Sequence, residues 1–215
     1  MKWLLLGLAA AVAMPSAANA TAFMNGDFEL GVDTGPWFTT LEAGSTALTG
    51  WTILSGSIDY KGDYWQAGDG KRSIDLNGNS AGAISQTFDT VAGTSYIVDF
   101  LLSGNPDGSP VVKTLEVSAT GNAATQYLFD TTGLTHGDMG WEGRTYQFIA
   151  TGASTTLTFA SLTAGNFYGP ALDAISVAPV SVVPVPEPAT WAMMIGGLAA
   201  VGTTMRRRRT TIQFA

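Results

Sequence analysis

Between residues 23 and 177, apolar residues almost never recur at helical spacing, whereas short runs alternate apolar and polar positions. A period of two sends successive side chains to opposite faces of an extended chain, so such runs predict half-buried strands. Eight are clear, at 73–76, 82–88, 95–102, 111–119, 124–129, 144–150, 155–160 and 171–177. In the run 95–102, Tyr96, Val98, Phe100 and Leu102 share one face, while Ser95, Ile97, Asp99 and Leu101 share the other. Leu157 and Phe159 likewise oppose Thr156 and Thr158, and Tyr146 falls beside Phe148. Breakers separate the runs: Asn77-Gly78, Ala92-Gly93, Asn105-Pro106-Asp107-Gly108, Gly121-Asn122 and Thr151-Gly152. A chain that reverses this often, with aromatics on one face of its strands, buries them between two sheets. The predicted fold is therefore all-β, a two-sheet β-sandwich. About eight or nine strands at this spacing suit a jelly roll better than a seven-strand immunoglobulin arrangement.

The two ends follow other rules. Lys2 precedes an apolar stretch from Trp3 to Ala13, Met14-Pro15 breaks it, and the small residues Ala18, Asn19 and Ala20 follow. This is the pattern signal peptidase reads, so residues 1–20 are expected to be a removable signal helix. At the other end Val185, Pro186, Glu187 and Pro188 lead into an apolar run through Met205, which is followed by Arg206, Arg207, Arg208 and Arg209. An uncharged run with a basic flank predicts a short transmembrane helix with its arginines in the cytoplasm, although it falls below the roughly 20 residues of a comfortable span. Residues 178–184, rich in proline and valine, predict an extended spacer. The expected organisation is a signal peptide at 1–20, one β-sandwich domain at 21–177, the spacer at 178–184 and the tail at 185–210.

The C-terminal grammar resembles the PEP-CTERM sorting tail of Gram-negative bacteria. That resemblance implies processing by an exosortase-type membrane protease, passage through the inner membrane, and a final place at the cell surface or in the extracellular, biofilm-type matrix.

Charge narrows the partners. All 17 acidic residues lie between Asp27 and Glu187, and only 5 of the ten basic ones do, so 17 acids against 5 bases leave that stretch a formal net charge of −12. Such a chain repels nucleic acid and disfavours anionic substrates. The absence of cysteine excludes disulfides, thiol catalysis and Cys-based zinc sites. His136 is the only imidazole, and no serine stands in a nucleophile elbow, so the chain does not read as an enzyme. Seventeen acids make some carboxylate pair inevitable, and a glycoside hydrolase is the weakest of the alternatives.

A second resemblance lies inside the domain. It rests on Asn25-Gly26-Asp27-Phe28-Glu29, Gly50-Trp51, Ile58-Asp59-Tyr60, Trp65, Ser73-Ile74-Asp75-Leu76-Asn77-Gly78, Ile84-Ser85-Gln86-Thr87-Phe88 and Gly169-Pro170-Ala171-Leu172-Asp173. In this order they resemble the choice-of-anchor C family, which is related to plant cell-wall proteins and to galactose-binding-like jelly rolls. Ala174 stands where that pattern has Asn. In similar carbohydrate-binding jelly rolls a structural calcium joins the first and last strands, which points to Glu29 and Asp173, with backbone carbonyls and Asn25, as ligands for Ca²⁺. The competing reading is that these side chains cap turns or bond backbone amides. Sugar rings stack on exposed aromatic planes while nearby polar groups take the hydroxyls. The stretch 59–66 is densest in that mixture, and Tyr60, Asp63, Tyr64 and Trp65 are the candidate carbohydrate contacts. Packing of Trp51 and Trp65 inside the sandwich is the competing reading. The expected function is exopolysaccharide or other carbohydrate binding; the alternative is a structural or adhesive surface protein with no sugar site.

Overall fold

The computed structural model describes residues 21–165, 167–180 and 188–206. The chain divides into two compact units, one ending at Val180 and the other beginning at Ser181. The first holds eleven strands: β1 (Phe38–Glu42), β2 (Thr52–Ser55), β3 (Ser57–Lys61), β4 (Ser73–Asp75), β5 (Ala83–Asp89), β6 (Ser95–Gly104), β7 (Val112–Ala119), β8 (Thr125–Asp130), β9 (Glu142–Ile149), β10 (Ser154–Ser161) and β11 (Pro170–Pro179). They form two antiparallel sheets, a six-stranded one in the order β1-β3-β4-β11-β6-β9 and a five-stranded one in the order β2-β5-β10-β7-β8. This is the expected jelly-roll sandwich.

Each of the eight strands predicted from alternation is present within two residues of its expected bounds. Strands β1, β2 and β3 were not expected, and β3 shows why. All five of its residues are buried. Ile58 and Tyr60 join the core, while Ser57, Asp59 and Lys61 face the other side, which the sequence pattern would assign to solvent. Here that side is covered as well.

Between the sheets, Phe100 and Phe159 meet edge to face at 5.4 Å, and Tyr96 stacks on Phe148 at 5.2 Å. Phe28, Trp51, Ile58, Tyr60, Leu115 and Leu157 fill the rest of the same apolar layer. Burying each such side chain contributes about 1.5–3 kcal/mol before the cost of ordering it.

The opening phrase of the domain is a lock on β11. Asn25 adopts φ +52°, and its side-chain amide donates to the carbonyls of Leu30 (2.8 Å) and Thr49 (2.7 Å). Its Oδ1 accepts the Leu30 N–H at 2.9 Å, and the Asn25 carbonyl accepts the Trp51 indole N–H at 2.9 Å. A side chain on Gly26 would sit 1.8 Å from the Ile175 carbonyl oxygen, so only glycine admits that approach. β11 is irregular at this point, with a register shift between Asp173 and Ser176 and φ +48° at Ala174.

The second unit is a helix, α1 (Pro188–Arg206). The expected membrane helix is thus helical, but no helix among the described residues is long and apolar enough to cross a membrane. Gly196, Gly197, Gly202 and Thr203 dilute its apolar content, and Arg206 closes it. The signal peptide at 1–20, most of the spacer, Val185, Pro186 and Glu187 of the sorting motif, and Arg207, Arg208 and Arg209 lie outside the described residues.

Candidate functional site

The outer face of the six-stranded sheet carries a polar layer that the strands alone would leave wet. Asp59 on β3 faces Asp75 on β4 across the ladder. The Lys61 ammonium donates to Asp59 Oδ2 at 3.0 Å, and Thr40 donates its hydroxyl to Asp59 Oδ1 at 2.7 Å. That ammonium also lies 3.9 Å from the ring centre of Phe38, 4.7 Å from Trp65 and 4.8 Å from Tyr64, a caged cation whose rings replace water. Two connections fold over this layer. Trp65 donates its indole N–H to Ser73 Oγ at 2.7 Å, Trp141 donates to the Gln66 carbonyl at 2.9 Å, and Met139 is fully buried with Ala171 beneath them.

Asp75 has no solvent exposure at all. Its Oδ1 accepts the N–H groups of Asn77 (2.9 Å) and Gly169 (3.0 Å), and its Oδ2 accepts the Asn105 amide at 2.7 Å. Burial pushes its pKa up to about 7 against the opposing pull of Lys61 and these donors. Gly169 must be glycine, because an added Cβ would lie 2.5 Å from Asn77 Oδ1 and 2.7 Å from Asp75 Oδ1. A second buried lysine arrives from the opposite sheet. Lys113 on β7 passes the bare Gly104, whose added Cβ would sit 2.5 Å from Lys113 Cγ, and donates to the Gly108 carbonyl at 2.8 Å. Burial lowers its pKa, opposed by Asp75 and Asp107.

Above this charged floor opens a cavity of about 350 Å³. Phe38 and Tyr64 line one flank, Phe167 and Tyr168 the other, and Thr40, Asn79, Asn105 and Asp107 supply polar groups. Phe38 and Phe167 are 40% and 49% exposed, so apolar rings stand open at the rim. Phe167 holds φ +73°, a backbone strain of the sort that collects at ligand sites. At one end the Tyr64 hydroxyl donates to Asp107 Oδ2 at 2.8 Å, while His136 Nε2 meets Asp107 Oδ1 at 2.7 Å. Burial first, then the hydrogen bond to Asp107 and that carboxylate's charge, pushes the Tyr64 phenol up to about 12, so it remains a donor. Beyond this bridge lies a second depression of about 510 Å³, lined by Asp63, Gln66, Lys71 and His136 and sharing Tyr64.

The predicted carbohydrate contacts separate accordingly. Tyr64 lines the cavity and Asp63 lies exposed on the neighbouring depression. Tyr60 is corrected to a core position: it is 1% exposed, on β3 and not in a loop, and its hydroxyl donates to the Phe28 carbonyl. Trp65 is 4% exposed and forms the lid over Ser73.

Glu29 and Asp173 do converge, but on a loop. Asp173 is buried, its Oδ2 accepting the N–H groups of Gly68 (2.8 Å) and Asp69 (2.9 Å) and its Oδ1 that of Ala174 (2.7 Å). Glu29 Oε1 accepts the N–H groups of Lys71 (2.6 Å) and Arg72 (2.8 Å). Both carboxylates therefore anchor residues 68–72 through amide donors. Burial still raises the Asp173 pKa to about 7, against those donors. Three of the roughly four lone-pair sites of Asp173 accept backbone amides and Asn25 Oδ1 accepts the Leu30 N–H, an arrangement that favours the amide-anchoring reading of these side chains. Excess EDTA is accordingly expected to leave the melting temperature unchanged, whereas Asp173→Ala lowers it by several degrees; a large chelator shift would restore the calcium reading.

Comparison with known proteins gives the chain its place. Residues 21–178 match the family model described as protein of unknown function, DUF642. The chain belongs to this family. Residues 184–209 of this DUF642 protein match the PEP-CTERM protein-sorting motif, a signal for export and surface display. Halomucin of Haloquadratum walsbyi is 32% identical over 171 residues; the match covers 76% of this chain but 2% of that protein. Among solved structures, a CBM4 module (TM-score 0.45, 16% identity) aligns over 74% of this chain and 99% of its own. A family 35 carbohydrate-binding module from an environmental isolate (TM-score 0.45, 17% identity) covers 70% and 99%. TmCBM61, solved with β-1,4-galactotriose, reaches 0.42 at 18% identity, covering 74% and 98%.

Several site residues of this DUF642 domain escape sequence reasoning. Phe38, Lys61, Asn105, Asp107 and Lys113 carry no motif that points to them. One signal was available: Lys113 sits in a period-two run with Leu115 and Val117, on their core-facing side, in a stretch that holds only five bases. A lysine there is buried by pattern.

Proposed function

We propose that this protein is a non-catalytic, exported surface protein whose sandwich domain binds glycan in the cavity between the Phe38–Tyr64 and Phe167–Tyr168 flanks. The observation that supports the reading is that cavity: exposed rings at the rim, hydrogen-bonding groups below, and a concave, half-open shape. Aromatic planes take the C–H faces of a pyranose, and Thr40, Asn79 and Asp107 are placed to meet its hydroxyls. In this reading signal peptidase removes residues 1–20, an exosortase-type protease acts at the sorting tail, and extracellular polysaccharide is the ligand.

The test is a glycan panel, including β-1,4-galacto-oligosaccharides, against the full-length protein. Phe38→Ala and Phe167→Ala should each weaken binding on the order of tenfold, corresponding to about 1.4 kcal/mol. Binding untouched by both would place the sugar elsewhere. No binding to any glycan would favour the structural or adhesive role.

A further inference from the structure

We infer that the cavity receives the terminal residue of a neutral glycan chain, and not an internal stretch of polymer; this rests on the glycan reading above. The first argument is closure. The Tyr64–Asp107–His136 bridge walls the cavity off from the neighbouring depression, with contacts of 2.8 and 2.7 Å. A polymer running through would need that wall open, since Tyr64 lines both spaces. The floor is closed too, because Asp59, Lys61 and Asn105 line the cavity while only 5%, 1% and 2% exposed. A ring that enters therefore meets a closed floor and a closed Tyr64 end, and comes in from the exposed side between Phe38 and Phe167.

The second argument is the position of the rings along the sheet. Phe38 stands on β1, the outermost strand, whereas Phe167 and Tyr168 precede β11, three places further in. The two aromatic flanks therefore bracket the polar floor of β3 and β4. A volume of about 350 Å³ lies at the lower end for ligand pockets and suits one sugar ring better than several.

Charge decides the class. Among the described residues that line the cavity, Lys61 is the one cation, and it is committed to Asp59 and three rings; Asp59 and Asp107 are the anions. No free cation is offered to a uronic acid, and the acidic surroundings disfavour one further.

Calorimetry on the full-length protein distinguishes the outcomes. The probes are glucose, galactose, mannose and N-acetylglucosamine, the β-1,4 di- and tetrasaccharides of each, and glucuronic acid. For the sugar that binds, the monosaccharide and tetrasaccharide Kd should agree within about twofold, with glucuronic acid much weaker. A Kd that tightens tenfold or more from mono- to tetrasaccharide would overturn terminal recognition while leaving glycan binding standing. Preference for glucuronic acid would overturn the neutral class. Absence of binding to every probe would remove the glycan reading and this inference with it.

Discussion

Truncating Asp59 to alanine should lower the unfolding free energy by about 3–5 kcal/mol, because it strands the Lys61 ammonium in an apolar cage. The side chains of this pair are 7% and 2% exposed, so water cannot take over the lost partner. Asp75 lies across the ladder, but both its oxygens are already occupied by Asn77, Gly169 and Asn105. Against a typical stability of about 5–15 kcal/mol, the loss is a large share. The double variant Asp59→Leu, Lys61→Met behaves differently, since apolar groups of similar size remove both desolvation costs at once. It should fall within about 1 kcal/mol of the native protein or exceed it. Urea titration of the three proteins is the measurement. Should the double variant be as damaged as the single one, the pair would be a source of stability in its own right.

Stability should also decline as the pH rises from about 4 to about 7. Asp75 and Asp173 both have folded pKa values raised to about 7 from an ordinary 3.8, chiefly by burial. In that window the folded state holds protons that the unfolded chain has released, so deprotonation favours unfolding. The contribution is complete below about 3.8 and lost once the pH has passed the folded value near 7. Together the two groups should cost a few kcal/mol across the window, with Asp75 the cleaner case because it is wholly buried. Asp75→Asn should flatten the profile; its one carbonyl oxygen can keep the Asn77 and Gly169 amides, while its NH2 then meets the Asn105 amide as donor against donor, so the variant starts from a lower stability at every pH. A midpoint in urea equal at pH 4.5 and 8 would show that these carboxylates stay ionised throughout.

The two results share an origin in the outer face of the six-stranded sheet, which also carries the proposed glycan cavity. The rings of the proposed glycan cavity are fixed by the buried ion pair beneath it: Phe38, Tyr64 and Trp65 all rest on the Lys61 ammonium. Rings held in this way lose little freedom on meeting a sugar. The opposite sheet offers no such cover, and Thr156 and Thr158 on its outer face are only half-buried.

Alternation along the chain was enough to establish the sandwich, eight of its strands and the facing aromatics of β6, β9 and β10, because a strand with one wet face writes its burial into a period of two. The C-terminal sorting motif was legible for the same reason, since an apolar run with a basic flank is a local pattern. β3 was not legible: covering its outer face required residues 62–72 and 134–141, which only the tertiary structure brings over Asp59 and Lys61. The same holds for Tyr60, whose burial depends on Phe28, more than thirty residues away in sequence. It holds as well for Glu29 and Asp173, whose proximity was expected but whose shared partner, a run of backbone amides, has no signature in side-chain identity. Sequence determined which faces are apolar; the tertiary structure decided which polar faces are also closed, because that depends on distant loops and on the pairing of charges that no local pattern records.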